Sequence, residues 1–94
     1  LPYKSPLDNR IHRYFPDFYI KVKEGNKIQK YLVEIKPKRQ VSEPKVPKRK
    51  TKGYIYEVKE YVKNQAKWKS AQEFCEDRQW KFKIITEDEL GIRQ

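Results

Sequence analysis

Two stretches of strict alternation and one long run of helical spacing organise this chain. From Phe18 to Lys23, Phe18, Ile20 and Val22 fall on one side of an extended backbone, and Asp17, Tyr19, Lys21 and Lys23 fall on the other. That is the pattern of a strand. After Glu24-Gly25-Asn26-Lys27, where Gly and Asn tolerate the positive φ of a tight turn, Tyr31, Val33 and Ile35 alternate with Leu32, Glu34 and Lys36. The two runs therefore predict a β-hairpin. With Gly25 and Asn26 as its central residues, Phe18 lies opposite Val33 and Asp17 opposite Glu34, which leaves one face apolar and the other carrying the acids.

From about Lys52 to Arg78 the spacing changes, and Tyr54, Val58, Tyr61, Val62, Gln65, Trp68, Ala71 and Cys75 form a stripe at steps of three and four. This predicts one amphipathic helix, on the order of 40 Å long at 1.5 Å per residue, whose N-terminal turns outrun the sheet it covers. Trp80, Phe82 and Ile84 then alternate with Lys81 and Lys83 as a further strand. Thr86-Glu87-Asp88-Glu89 fits a capping box, and Gly91 stops the turn that follows. The order is hairpin, helix, strand.

Length and composition limit what this framework can be. At 94 residues with 36% hydrophobic side chains, the chain reads as one small domain, 1–94, with a thin core. No apolar run is long enough to span a membrane, and the first residues lack the hydrophobic segment of a signal peptide. A single cysteine, Cys75, and a single histidine, His12, cannot build a disulfide or a Cys/His zinc cage, so any metal must be held by oxygen.

Charge changes the picture more. The chain carries 23 Lys+Arg against 13 Asp+Glu, a net charge of +10. Eight cations (Lys36, Lys38, Arg39, Lys45, Lys48, Arg49, Lys50 and Lys52) against the one acid Glu43 concentrate +7 of it between Lys36 and Lys52. Pro37, Pro44 and Pro47 punctuate the same stretch and predict a basic, extended loop over 37–52. Such a loop is either a solvated linker or an electrostatic clamp on DNA phosphates, in which Lys38, Arg39, Lys45, Lys48, Arg49, Lys50 and Lys52 displace counterions.

The candidate chemistry sits where the hairpin places its acids. Carboxylates opposite one another on neighbouring strands have Cβ atoms about 5 Å apart. At an effective dielectric of about 20 they repel by about 3 kcal/mol, which a divalent cation relieves. Asp17, Glu34 and one backbone carbonyl make a plausible inner shell for Mg²⁺, and Lys36 lies on the same face, two residues beyond Glu34. The same spacing also suits a solvated surface on which acids and lysines pair as salt bridges.

Arg13-Tyr14-Phe15-Pro16-Asp17-Phe18 and Leu32-Val33-Glu34-Ile35-Lys36-Pro37 resemble the Pro-Asp…(Asp/Glu)-x-Lys signature of restriction-endonuclease-like nucleases. With Asn64-Gln65-Ala66-Lys67-Trp68 and Phe82-Lys83-Ile84-Ile85-Thr86-Glu87, nearly the whole chain resembles the TnsA-type endonuclease domain, and within it the nucleases that act in head completion of T-even-type tailed phages. The resemblance implies an α/β fold, a central mixed sheet flanked by helices in an αβββαβ core, with the first helix placed before residue 1. It implies a Mg²⁺- or Mn²⁺-dependent deoxyribonuclease in which Asp17, Glu34 and the Ile35 carbonyl bind the metal and Lys36 serves the attacking water.

An acid on that first helix completes the metal site in the family, and the one carboxylate upstream of Asp17 here, Asp8, sits in an apparent loop. His12 and Arg13 are candidates for contact with the scissile phosphate. On the flanking helix Gln65 is expected to point to the site and Lys67 to face solvent. Tyr54, Tyr56 and Tyr61 lie near the basic loop, where they could stack on bases. The implied setting is DNA processing at the filled phage head, with head, portal or neck proteins as neighbours, in the host cytoplasm or on the virion. A non-catalytic DNA-binding or virion structural protein that keeps the nuclease fold is the alternative.

Overall fold

The computed structural model of the protein describes residues 1–91. Its elements are β1 (Pro2–Lys4), β2 (Ile11–Arg13), β3 (Phe18–Glu24), β4 (Lys27–Ile35), α1 (Lys38–Val41), α2 (Lys52–Arg78), β5 (Lys81–Ile85) and α3 (Glu87–Leu90). β3, β4 and β5 form a mixed three-stranded sheet with β4 at its centre, and β1 and β2 form a separate antiparallel ribbon. The architecture is α/β, in keeping with a restriction-endonuclease-like core.

The hairpin takes the register its alternation predicts, with Phe18 paired to Val33 and Glu24 to Lys27. Gly25 alone in its turn has a positive φ, 62°, as a type II′ turn requires at its first central position. β4 continues into a parallel pairing with β5, Tyr31 beside Lys81 and Ile35 beside Ile85. A parallel neighbour needs a long crossover, and α2 supplies it.

The helix is bounded by recognisable caps. Thr51 accepts a hydrogen bond from the Tyr54 amide at its start. At its end Gln79 adopts a left-handed φ of 60°, while Trp80 N–H donates to the Cys75 carbonyl and Gln79 N–H to that of Glu76, a Schellman arrangement. Thr86 and Glu89 form the predicted capping box, and Gly91 ends α3 in the left-handed region.

The core lies where α2 crosses the sheet and the ribbon. Trp68 and Ala71 pack with Tyr3 of β1 and with Tyr14, and Phe82 and Ile84 of β5 close the cluster. Phe82 stands beside Leu32 and Ile84 beside Glu34, so α2 covers the face of β4 that carries the acid. This reverses what the alternation suggests. Phe18, Ile20 and Val22 lie on the other face and are between 38% and 52% exposed, because the edge strand β3 has no layer over it among the described residues. Trp80 fills the far end of the helix-covered face, stacked on Tyr19 at 5.1 Å and edge-on to Phe74.

Two sequence expectations are refined here. Asp8 lies in a loop, as its sequence indicates, but that loop joins β1 and β2 of a ribbon that the sequence did not announce; Asn9 takes a positive φ of 61° to close it. The basic stretch is not extended throughout, because Lys38–Val41 makes one helical turn. That turn is docked on α3, whose Glu87 carboxylate accepts the Lys38 amide at 2.8 Å.

Candidate active site

Glu34 is the least expected residue of the core, a carboxylate only 5% exposed in the middle of a sheet. Burying an acid costs several kcal/mol unless it is hydrogen-bonded and paired, so its partners matter. The Tyr14 hydroxyl donates to Glu34 Oε2 at 2.8 Å, and the Lys36 ammonium lies 3.4 Å from Oε1. Burial, and then the bond to Glu34, push the Tyr14 phenol far above its usual pKa, so it remains a donor at any physiological pH.

Asp17 reaches the same end of β4 from the other strand. Its Oδ2 accepts the Ile35 amide at 2.7 Å, which fixes the carboxylate just past the last paired residues, Phe18 and Val33. Lys36 is held through its own backbone, its N–H donating to the Ile85 carbonyl of β5 at 3.0 Å. Glu34 and Lys36 thus pair at the C-terminal end of the central strand, and Asp17 is tied to the same end by its bond to the Ile35 amide.

The two carboxylates share one feature: a donor occupies one oxygen of each. Tyr14 takes Oε2 of Glu34 and the Ile35 amide takes Oδ2 of Asp17, which presets both groups; the second Glu34 oxygen, Oε1, faces the Lys36 ammonium. Among the described residues no cluster of three or more His, Cys, Asp or Glu side chains is available to hold a metal. The carboxylates of Asp17 and Glu34 are two oxygen donors, and oxygen is the donor type that a hard cation such as Mg²⁺ takes when it keeps several waters.

Residues 1–87 match the TnsA-like endonuclease N-terminal family. The chain belongs to this family. The TnsA-like domain is also 36% identical over 94 residues to the head completion nuclease of Enterobacteria phage T4, an alignment that covers 96% of this chain and 61% of that protein. The chain thus spans about three fifths of the length of that curated relative. No solved structure matches significantly.

Within this TnsA-like domain the remaining predicted residues fall into distinct places. His12 lies on the ribbon, its Nε2 2.7 Å from Asp8 Oδ2, and Asp8 also caps the Arg10 amide. Asp8 is held below the usual carboxylate range by that amide and then by His12, so both side chains are engaged in closing the ribbon. Arg13 is exposed on β2. Lys38 is paired with Asp88 of α3 at 3.1 Å and is held by that contact. Arg39, Lys45, Lys48, Arg49, Lys50 and Lys52 are exposed.

On α2 the predicted stripe holds at Trp68, Ala71 and Cys75 and departs at one position. Gln65 is exposed, whereas Asn64 is buried, because the helix turns about 100° per residue and the buried set is Asn64, Trp68, Ala71 and Cys75. Lys67 does not face open solvent. Its ammonium lies 5.7 Å from the Tyr14 ring and 5.8 Å from the Tyr3 ring, and burial followed by the neighbouring Lys63 and Lys36 lowers its pKa. Cys75 is fully buried, and burial raises its thiol pKa, which suits a packing role.

Tyr14 is the site residue that spacing did not single out. It belongs to no strand and no helical stripe, and the only signal for it is the chain position three residues before Asp17.

Proposed function

We propose that this domain hydrolyses DNA phosphodiester bonds with Mg²⁺ or Mn²⁺ held by Asp17, Glu34 and the Ile35 carbonyl. The observation that carries the reading is the buried Glu34, oriented by Tyr14 on one oxygen and faced by Lys36 on the other. A carboxylate is retained in a thin core when its charge has a use there, and family membership says which chemistry that use belongs to. The metal would supply Lewis-acid polarisation of the phosphoryl group and a more acidic bound water.

The residues divide the remaining work. Asp17 and Glu34 offer preset oxygens at the strand end. Lys36 orients the attacking water and stabilises negative charge on the phosphorane-like transition state as the P–O bond to the leaving group lengthens. Tyr14 keeps Glu34 from rotating. The exposed cations of the 37–52 segment, Arg39, Lys45, Lys48, Arg49, Lys50 and Lys52, hold the phosphate backbone without reading bases. The biological setting that best fits the reading is the one the phage relative's name gives, head completion, and it would place the enzyme's DNA at the phage head, in the infected host or on the particle. Among the described residues no helix is long and apolar enough to cross a membrane.

Supercoiled plasmid is the direct test. Conversion to nicked or linear DNA is expected with Mg²⁺ or Mn²⁺ and none with excess EDTA; turnover unaffected by EDTA, or absent with every divalent ion, would refute the proposal.

The clamp is tested separately, through salt. If Lys45, Lys48, Arg49 and Lys50 each neutralise a phosphate, replacing all four by Ala should make the slope of log K against log salt shallower by about 3.6 for duplex DNA. Fluorescence anisotropy across a salt series measures it. An unchanged slope would reduce the segment to a connector.

A further inference from the structure

A cavity among the described residues is lined by none of Tyr14, Asp17, Glu34 and Lys36 and has no part in the chemistry above. It holds about 410 Å³ between the Lys38–Pro44 stretch and the N-terminal half of α2. That volume is within the range of small-molecule sites. Arg39 contributes from one side, and Tyr56, Glu57, Glu60, Tyr61 and Asn64 from the other. Asn64 ties the cavity to the catalytic end of the sheet. It lies one helical turn before Lys67 and Trp68, the residues of α2 that pack against Tyr14, the partner of Glu34.

The lining says what could enter. Arg39 is the single cation among the lining residues, against the carboxylates of Glu57 and Glu60, and Glu60 is bridged to Lys63 at 2.8 Å. A phosphate would meet more negative than positive charge there, unlike the strongly basic surface of the segment outside. The cavity instead offers two phenol rings and the carboxamide of Asn64, a side chain 6% exposed that carries both donor and acceptor groups. Flat rings and mixed hydrogen-bonding groups in a weakly charged cavity match a neutral, planar, polar ligand. A nucleobase has that chemistry, and the cations around the rim suit the backbone attached to it.

We infer that this cavity receives the base of an unpaired nucleotide next to the scissile bond, so that the substrate is DNA with a single-stranded end, tail or gap. A base inside a duplex is stacked and paired and cannot reach a side pocket without being extruded, whereas an unpaired base enters at little cost. Tyr56 and Tyr61 provide the stacking surface, Asn64 contacts the base edge, and Arg39 bridges to the adjoining phosphate. The inference rests on the nuclease reading for the position of the scissile bond, and not for the binding itself.

The test uses binding in EDTA, where no hydrolysis can intervene, with a duplex bearing a short single-stranded tail that contains 2-aminopurine and a blunt duplex of the same length. The tailed DNA is expected to bind about ten-fold more tightly, with the 2-aminopurine emission quenched by stacking. Tyr56 is 65% exposed, so Tyr56→Ala should leave the melting temperature unchanged. It should abolish the quenching and the preference for the tail, and leave blunt-duplex affinity as it was. Asn64→Asp, which keeps the shape and adds a charge, should weaken binding of the tailed DNA alone. Equal affinity of the wild type for both DNAs, or an equal loss for both in Tyr56→Ala, would overturn the inference. A tail preference that persists in a protein unable to nick plasmid would uphold the pocket and remove only the nuclease reading.

Discussion

Replacing Lys36 by Ala is expected to lower plasmid nicking by about a thousand-fold and to leave DNA affinity, measured without divalent metal, within a few-fold of the wild type. The magnitude follows from removing a charge positioned where negative charge develops in the transition state, an effect that exceeds any ground-state contact. Lys36 is one of many cations, so its share of phosphate binding is small, whereas it alone stands 3.4 Å from Glu34 Oε1. Its backbone hydrogen bond to Ile85 does not involve the side chain, so the strand end keeps its geometry in the variant. Single-turnover cleavage at saturating enzyme separates the two quantities. Retained turnover would remove Lys36 from the chemistry, and a parallel loss of binding and turnover would make it one more phosphate contact.

Asp17→Asn and Glu34→Gln should each weaken Mg²⁺ or Mn²⁺ binding by at least about ten-fold and reduce cleavage to background, since each removes half of the anionic charge in an already small donor set. Both substitutions are shaped to leave the scaffold intact. An amide oxygen can still accept the Ile35 N–H at position 17 or the Tyr14 hydroxyl at position 34. Loss of metal binding without loss of melting temperature is therefore the expected pair of results. Isothermal titration calorimetry with thermal denaturation reads both, and unchanged metal affinity in the two variants would mean that the ion is held elsewhere.

The sequence was most legible where a single periodicity governed a segment. Helix α2 has the bounds its spacing indicates, Lys52–Arg78, and the hairpin has the register that Gly25-Asn26 sets, because a turn and a buried strand leave few alternatives. It was least legible where structure comes from contacts between segments. Leu1–Arg13 shows no alternation, yet it pairs as a ribbon because Tyr3 can bury itself under α2. The face of the sheet that α2 covers could not be inferred from hydrophobicity, since Phe18, Ile20 and Val22 present the more apolar side and the helix takes the other. The choice is made by Tyr3, Tyr14 and Trp68, aromatic bulk supplied from outside the sheet. The same cause hides Tyr14 as a partner of Glu34 and shifts the inward position on α2 from Gln65 to Asn64. A stripe drawn through steps of three and four is about 100° wide and cannot separate neighbours at its margin.

The parallel pairing of β4 with β5 makes the anchoring of Lys36 depend on a contact distant in sequence. The hairpin closes across adjacent residues and α2 builds from local contacts, but Tyr31 and Lys81 are 50 positions apart when they pair. Closing so long a loop carries the larger entropic cost, and contacts of high sequence separation form late. Lys36 owes its backbone anchor to Ile85 of β5, and Glu34 has Ile84 beside it. A chain that has folded its hairpin and helix without docking β5 therefore has Glu34 on a strand and Asp17 just before one, but lacks the backbone anchor of Lys36. On the proposed reading, a molecule without β5 in place would hold DNA through its basic segment and not cleave it.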